Sequence, residues 1–207
     1  MSAHAKIHPD ATQKHRLITR SDMDGLVSAV LLKELGIIEE IMFVHPKDMQ
    51  DGTVEVTSRD ITTNVPYHPN VYLSFDHHTS EVERIGAKPD NLILDPTAPS
   101  AARVVYDYYG GKSRFPKVSD MMMAAVDKAD SAQFTRSDIL EPRGWELLSF
   151  IMDARTGLGR FRDFRIGNYQ LMMELIDYCR EVNDIDKILK LPDIKERVDL
   201  YFEHEEK

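Results

Sequence analysis

The stretch Asn70-Val-Tyr-Leu-Ser-Phe-Asp-His-His78 decides how this chain is read. Asn70 to Phe75 is a short apolar run of strand length, and it ends directly on three residues that bind metals or handle protons. Packing gives no reason for Asp76, His77 and His78 to follow one another, so a strand carrying them to a sheet edge points to function. Adjacent histidines on an extended backbone face opposite sides, so at most one of them is expected to meet a given ion directly.

Working outward, strands and helices alternate through the first half of the chain. Arg16–Thr19, Ile37–Val44, Val54–Thr57 and Leu92–Leu94 read as further strands. Gly25–Leu35 reads as a helix with Leu26, Val30 and Leu31 on one face, stopped by Gly36. Helical segments then dominate: 100–109, 118–130, 145–155 and 167–182, with Pro192 dividing the last stretch in two. The alternation predicts an α/β fold, a parallel sheet of the five-stranded type flanked by helices, with a mainly helical C-terminal part. The expected organisation is a flexible tail over 1–14, a core over 15–135 and a helical extension over 136–207.

The 42% apolar and 29% charged residues among 207 are those of an ordinary globular chain able to bury a substantial core. No apolar run reaches membrane-span length and no signal-peptide pattern precedes the first strand, so a cytoplasmic protein without membrane contact is expected. A single cysteine, Cys179, excludes an internal disulfide and a Cys-rich zinc site. The formal net charge of −9 argues against wrapping duplex DNA. It leaves room for a small anionic, phosphate-containing substrate, because local cations can invert the field inside a cleft.

Asp22 and Asp24, then Asp60, then Asp76-His77-His78 each fall just after a predicted strand. In an open parallel sheet the carboxyl ends of the strands share one edge, where ligands bind, so these scattered residues are expected to converge. Carboxylates with imidazole and no thiolate suit Mg²⁺ or Mn²⁺, Mn²⁺ the better once histidine takes part. A pair of such ions about 3.5–4 Å apart is the usual clamp for phosphate ester hydrolysis. Taken singly, Asp24 before Gly25 could be a helix N-cap worth about 1 kcal/mol, and Asp60 could open an Asx-turn. Asp22-Met-Asp24-Gly25 also suggests the covalent nucleophile of haloacid dehalogenase-like phosphatases. That reading leaves Asp76-His77-His78 without a role, and Thr19-Arg20-Ser21 breaks the apolar run it requires.

With Asp22-Met-Asp24-Gly25 and Phe75-Asp76-His77-His78 in this order, the chain from Leu17 to Phe134 resembles the DHH phosphoesterase family, in its exopolyphosphatase-like or oligoribonuclease-like branch. Asp60 and Ala129-Asp130-Ser131 resemble two further elements of that family. The resemblance implies metal ligation by Asp22, Asp24, Asp60, His77 and Asp130, with Asp60 bridging two ions and Asp127 the alternative to Asp130. It implies that Asp76 orients its neighbours and that His78 faces the substrate phosphate. The implied activity is metal-dependent hydrolysis of a phosphoanhydride or phosphodiester (polyphosphate, a short oligonucleotide or a nucleotide) by metal-activated water. One or two ions are implied, Mn²⁺ or Mg²⁺, and a homodimer is left open. Arg20 stands near where the family carries a ligating histidine. It cannot ligate, so either His45 completes the site or Arg20 touches phosphate, as Arg160 and Arg162 would in a candidate anion clamp over 155–165. The family's smaller substrate-binding domain is not legible after Gly111. The alternative to an enzyme is therefore an impaired member that binds nucleotide or phosphate as a regulatory module.

Overall fold

The computed structural model of the chain describes residues 13–156, 158 and 163–205. Five strands, β1 (His15–Thr19), β2 (Ile38–Phe43), β3 (Asp60–Thr63), β4 (Leu73–Asp76) and β5 (Leu92–Leu94), form one parallel sheet in the order β2-β1-β3-β4-β5. The strands are short, and β3 and β4 are buried at every position, as expected of parallel strands covered on both faces.

Alternation along β1 divides the core. Leu17 joins the large cluster beneath α1 (Met23–Glu34), while Ile18 on the opposite face meets Met49, Val56, Val65 and Val71. α1 is buried from Met23 through Leu32, Ser28 included, rather than along one stripe. Its other sides are covered by α4 (Ala101–Tyr109), α5 (Asp120–Asp130) and α8 (Asn168–Glu181). A helix enclosed in this way needs no polar face. Short helices α2 (Pro46–Gln50), α3 (Thr79–Ile85) and α6 (Arg136–Leu140) join these elements. The chain then runs through α7 (Gly144–Met152), α8, α9 (Ile185–Leu189) and α10 (Pro192–Glu205). Among the described residues no helix is long and apolar enough to cross a membrane.

One expected strand is misplaced. Val54–Thr57 is irregular, and its valines serve the small second cluster, while the third strand begins at Asp60. The alternating Val-Glu-Val-Thr pattern imitates a half-buried strand, whereas the true β3, Asp60-Ile-Thr-Thr63, is buried throughout and lacks alternation. The shift of a few residues moves Asp60 from the end of a strand to its beginning.

Candidate active site

All five strands deliver their carboxyl ends to one edge, and the candidate site is built there. After β1 the chain turns sharply into α1, which Asp22 caps by accepting from Gly25 N–H at 2.9 Å. Gly25 is required by close approach: a Cβ there would lie 1.8 Å from the Arg20 carbonyl oxygen. Asp22 is thus the cap, and Asp24, in the first helical turn, is free for another task. Its carboxylate is 2% exposed and accepts the N–H groups of Ala102 at 2.7 Å and Ala101 at 3.1 Å, the N-terminus of α4.

β4 ends on Asp76, also buried, whose Oδ1 accepts from His77 N–H and contacts His78 Nδ1, both at 2.8 Å. His77 and His78 do not diverge: their ring centroids are 4.3 Å apart, because the strand stops at Asp76 and α3 starts at Thr79. His77 directs Nδ1 to the Ala98 carbonyl at 3.1 Å, which fixes its proton there and leaves the Nε2 lone pair for the site. That Nε2 lies 2.6 Å from Asp130 Oδ2 yet has no hydrogen bond of sound geometry. Asp130 ends α5, where the helix dipole disfavours a carboxylate.

Ligand atoms of Asp24, His77 and Asp130 lie within 4.8 Å of one another, as do those of Asp76, His77 and His78. Burial, followed by the charges of Asp130 and Asp22, pushes the Asp24 carboxyl well above its ordinary range. Burial likewise raises Asp22, with Arg20 opposing. For His77 burial disfavours the proton, but Asp130 outweighs it and the pKa is raised. Asp76 raises that of His78, whose side chain is half exposed. Crowded carboxylates, an imidazole with its lone pair free, and a 2.6 Å approach without a hydrogen bond fit a divalent cation.

Beside this cluster lies an open cleft of about 620 Å³ lined by Arg20, Asp22, Asp24, His45, Phe134 and Arg155, among others. Arg20 Nε stands 3.2 Å from Asp22 Oδ2. His45 caps α2 by accepting from Lys47 N–H at Nδ1, so its Nε2 carries the proton and offers the cleft a donor rather than a ligand. Arg155, the first residue of the expected anion clamp, is held by Asp153. Arg160 and Arg162 lie outside the described residues.

Asp60 is a correction. As the first residue of β3 it sits at the opposite edge, roughly 10 Å of strand away from the cluster. Its carboxylate accepts from Arg16 Nε at 2.7 Å, Arg16 Nη2 at 2.8 Å and Thr57 N–H at 2.7 Å. It anchors β1 to β3 and cannot bridge ions at the carboxyl edge. Asp127 is also elsewhere engaged, by Arg103 at 2.6 Å and Ser100 at 2.9 Å. At the site, the carboxyl end of β3 supplies Asn64 instead, in left-handed conformation with φ 55°. Its Nδ2 is 3.4 Å from Asp130 Oδ1.

The decisive comparison is with a solved structure. This chain resembles PggH of Vibrio cholerae, a pGpG-specific phosphodiesterase. The two are 59% identical with a TM-score of 0.84; the match covers 92% of this chain and 60% of PggH. The chain therefore spans less than two thirds of the PggH structure it matches. No protein-family model and no curated protein matches the chain. The likeness to PggH supports the α/β reading over nearly the whole chain.

Proposed function

We propose that this chain is the hydrolytic part of a metal-dependent phosphodiesterase acting on a short oligonucleotide. The substrate closest to hand is the 5′-phosphorylated guanine dinucleotide that the notation pGpG spells out. The observation that carries this is the meeting of Asp24, His77 and Asp130 at the carboxyl edge of a sheet, in a chain 59% identical to PggH. These three residues would hold a divalent cation, Mn²⁺ or Mg²⁺. When bound, the ion supplies Lewis-acid polarisation of the phosphoryl oxygen and a water of lowered pKa.

The chain's own residues do the rest. Ala101 and Ala102 N–H groups orient the Asp24 carboxyl toward the cluster, where a bound cation would hold it ionised. The Ala98 carbonyl keeps the His77 proton on Nδ1. Asp76 fixes the His78 ring and favours its protonated form, so that its outward nitrogen can donate to a phosphate oxygen or to the departing hydroxyl. Arg20 and Arg155 line the cleft with fixed positive charge for a terminal phosphate, and Phe134, tilted against Phe150, offers an apolar wall for a base.

The test is to incubate the purified chain with Mn²⁺ and synthetic pGpG, GpG lacking the 5′-phosphate, and polyphosphate, and to separate products by chromatography. GMP released fastest from pGpG supports the reading. Stoichiometric binding of pGpG without any GMP would make the chain a binding module and sink the catalytic assignment.

A further inference from the structure

Two places where a pair of metal ions would need anionic or neutral ligands are filled otherwise. The carboxyl end of β3 carries Asn64 and not a carboxylate, since Asp60 lies at the other edge bound to Arg16. Asn64 is 4% exposed, and its Oδ1 is buried without a hydrogen-bond partner. Its amide end reaches the cluster, with Nδ2 3.4 Å from Asp130 Oδ1. Turning the amide by 180° places the unpartnered oxygen there. Adjacent oxygens on an octahedral ion with bonds of about 2.1 Å lie about 3 Å apart, so the two would suit a single shared cation. The left-handed backbone at Asn64, which asparagine tolerates better than most residues, is what turns the side chain off the strand.

The second place lies beside Asp22. Its Oδ1 accepts from Gly25 N–H at 2.9 Å, and its Oδ2 is paired with Arg20 Nε at 3.2 Å. An additional ion there would compete with a guanidinium that cannot lose its proton. Charge favours leaving it in place. Asp22, Asp24 and Asp130 bring three negative charges, which Arg20 and one divalent ion match; a second ion would leave two positive charges in excess before substrate arrives.

We propose that the cleft holds one divalent cation rather than a pair, bound by Asp24, His77, Asp130 and the amide oxygen of Asn64, with the Arg20 guanidinium as its second, built-in positive charge. The inference rests on the metal-dependent reading above and sharpens it. Asn64 would be a ligand, and Arg20, which lines the same cleft, would meet a phosphate oxygen. A neutral amide oxygen can complete one coordination shell but lacks the charge with which a carboxylate bridges two ions.

The experiment is a Mn²⁺ titration of the chelator-treated full chain without substrate, followed by electron paramagnetic resonance and by elemental analysis after dialysis. One Mn²⁺ per chain with the six-line signal of an isolated ion is expected. Asn64→Ala should weaken binding about tenfold or more, the scale seen when a supporting partner of a metal site is removed. The double variant Asn64→Asp with Arg20→His should retain the fold, since aspartate also tolerates the left-handed backbone. It is expected to take up a second ion and to show the broadened signal of a coupled pair. Two ions per wild-type chain, or unchanged affinity in Asn64→Ala, would overturn the single-ion site while leaving metal dependence intact. No bound Mn²⁺ at all would overturn the metal-dependent reading itself.

Discussion

Replacing Asp60 by asparagine separates two roles that the residue could have, and the structure assigns it the structural one. The carboxylate is fully buried and accepts two hydrogen bonds from Arg16 and one from Thr57 N–H, all between 2.7 and 2.8 Å. Asparagine keeps one oxygen but turns an NH₂ toward donors, and it leaves a guanidinium, only 20% exposed, without its counter-charge. Charge-assisted hydrogen bonds contribute about 1.5–3 kcal/mol each, and breaking a buried pair costs about 3–5. Partial access of Arg16 to water brings the expectation to about 3 kcal/mol. At about 2–4 °C per kcal/mol for a chain of this size, the melting temperature should fall by about 6–12 °C. Differential scanning calorimetry with matched Mn²⁺ binding isotherms would measure both quantities.

The pH dependence gives a second check on the same residue. Burial alone would raise the Asp60 pKa, but Arg16 and Thr57 hold it below the ordinary carboxylate value. A group with a depressed folded-state pKa stabilises the fold above its unfolded pKa and loses that effect as pH falls through the folded one. The gap between wild type and Asp60→Asn should therefore be full at neutral pH and close below about pH 4. A variant that melts like the wild type but no longer binds Mn²⁺ would refute this reasoning and return Asp60 to the metal site.

Other substitutions read the site directly. Gly25→Ala forces its Cβ against the Arg20 carbonyl at a distance no packing accommodates, so it should cost several kcal/mol or distort the turn. Reduced Mn²⁺ affinity alongside a lowered melting temperature would show it. Asp76→Asn removes the group that raises the His78 pKa, so the His78 imidazole titration followed by NMR should move to lower pH while Mn²⁺ binding persists. Asp24 titrates in the opposite sense to Asp60. Its raised folded-state pKa means that the metal-free chain should lose stability as pH rises through that value, and that Mn²⁺ should restore it. Thermal melts with and without chelator between pH 5 and 8 would reveal a metal-dependent gain that grows with pH.

Much of this was legible without coordinates. Short runs rich in apolar residues mark four of the five strands, and Asp76-His77-His78 announces its own position because it terminates an apolar strand. Gly36, at φ 70°, ends the first helix as its sequence position suggests. What the chain by itself determined was therefore the fold class and most of the residues that could meet at one edge. Tertiary structure alone decided which of them do. Register along β3 is set by burial in the sheet rather than by any local pattern, and it sends Asp60 to Arg16 and leaves Asn64 at the cluster. The partners of Asp24 come from a helix more than seventy residues away, and Ser100 and Arg103, rather than an ion, claim Asp127. A local sequence pattern fixes what a side chain can bind; only the packed sheet fixes the distances that determine which partner it meets.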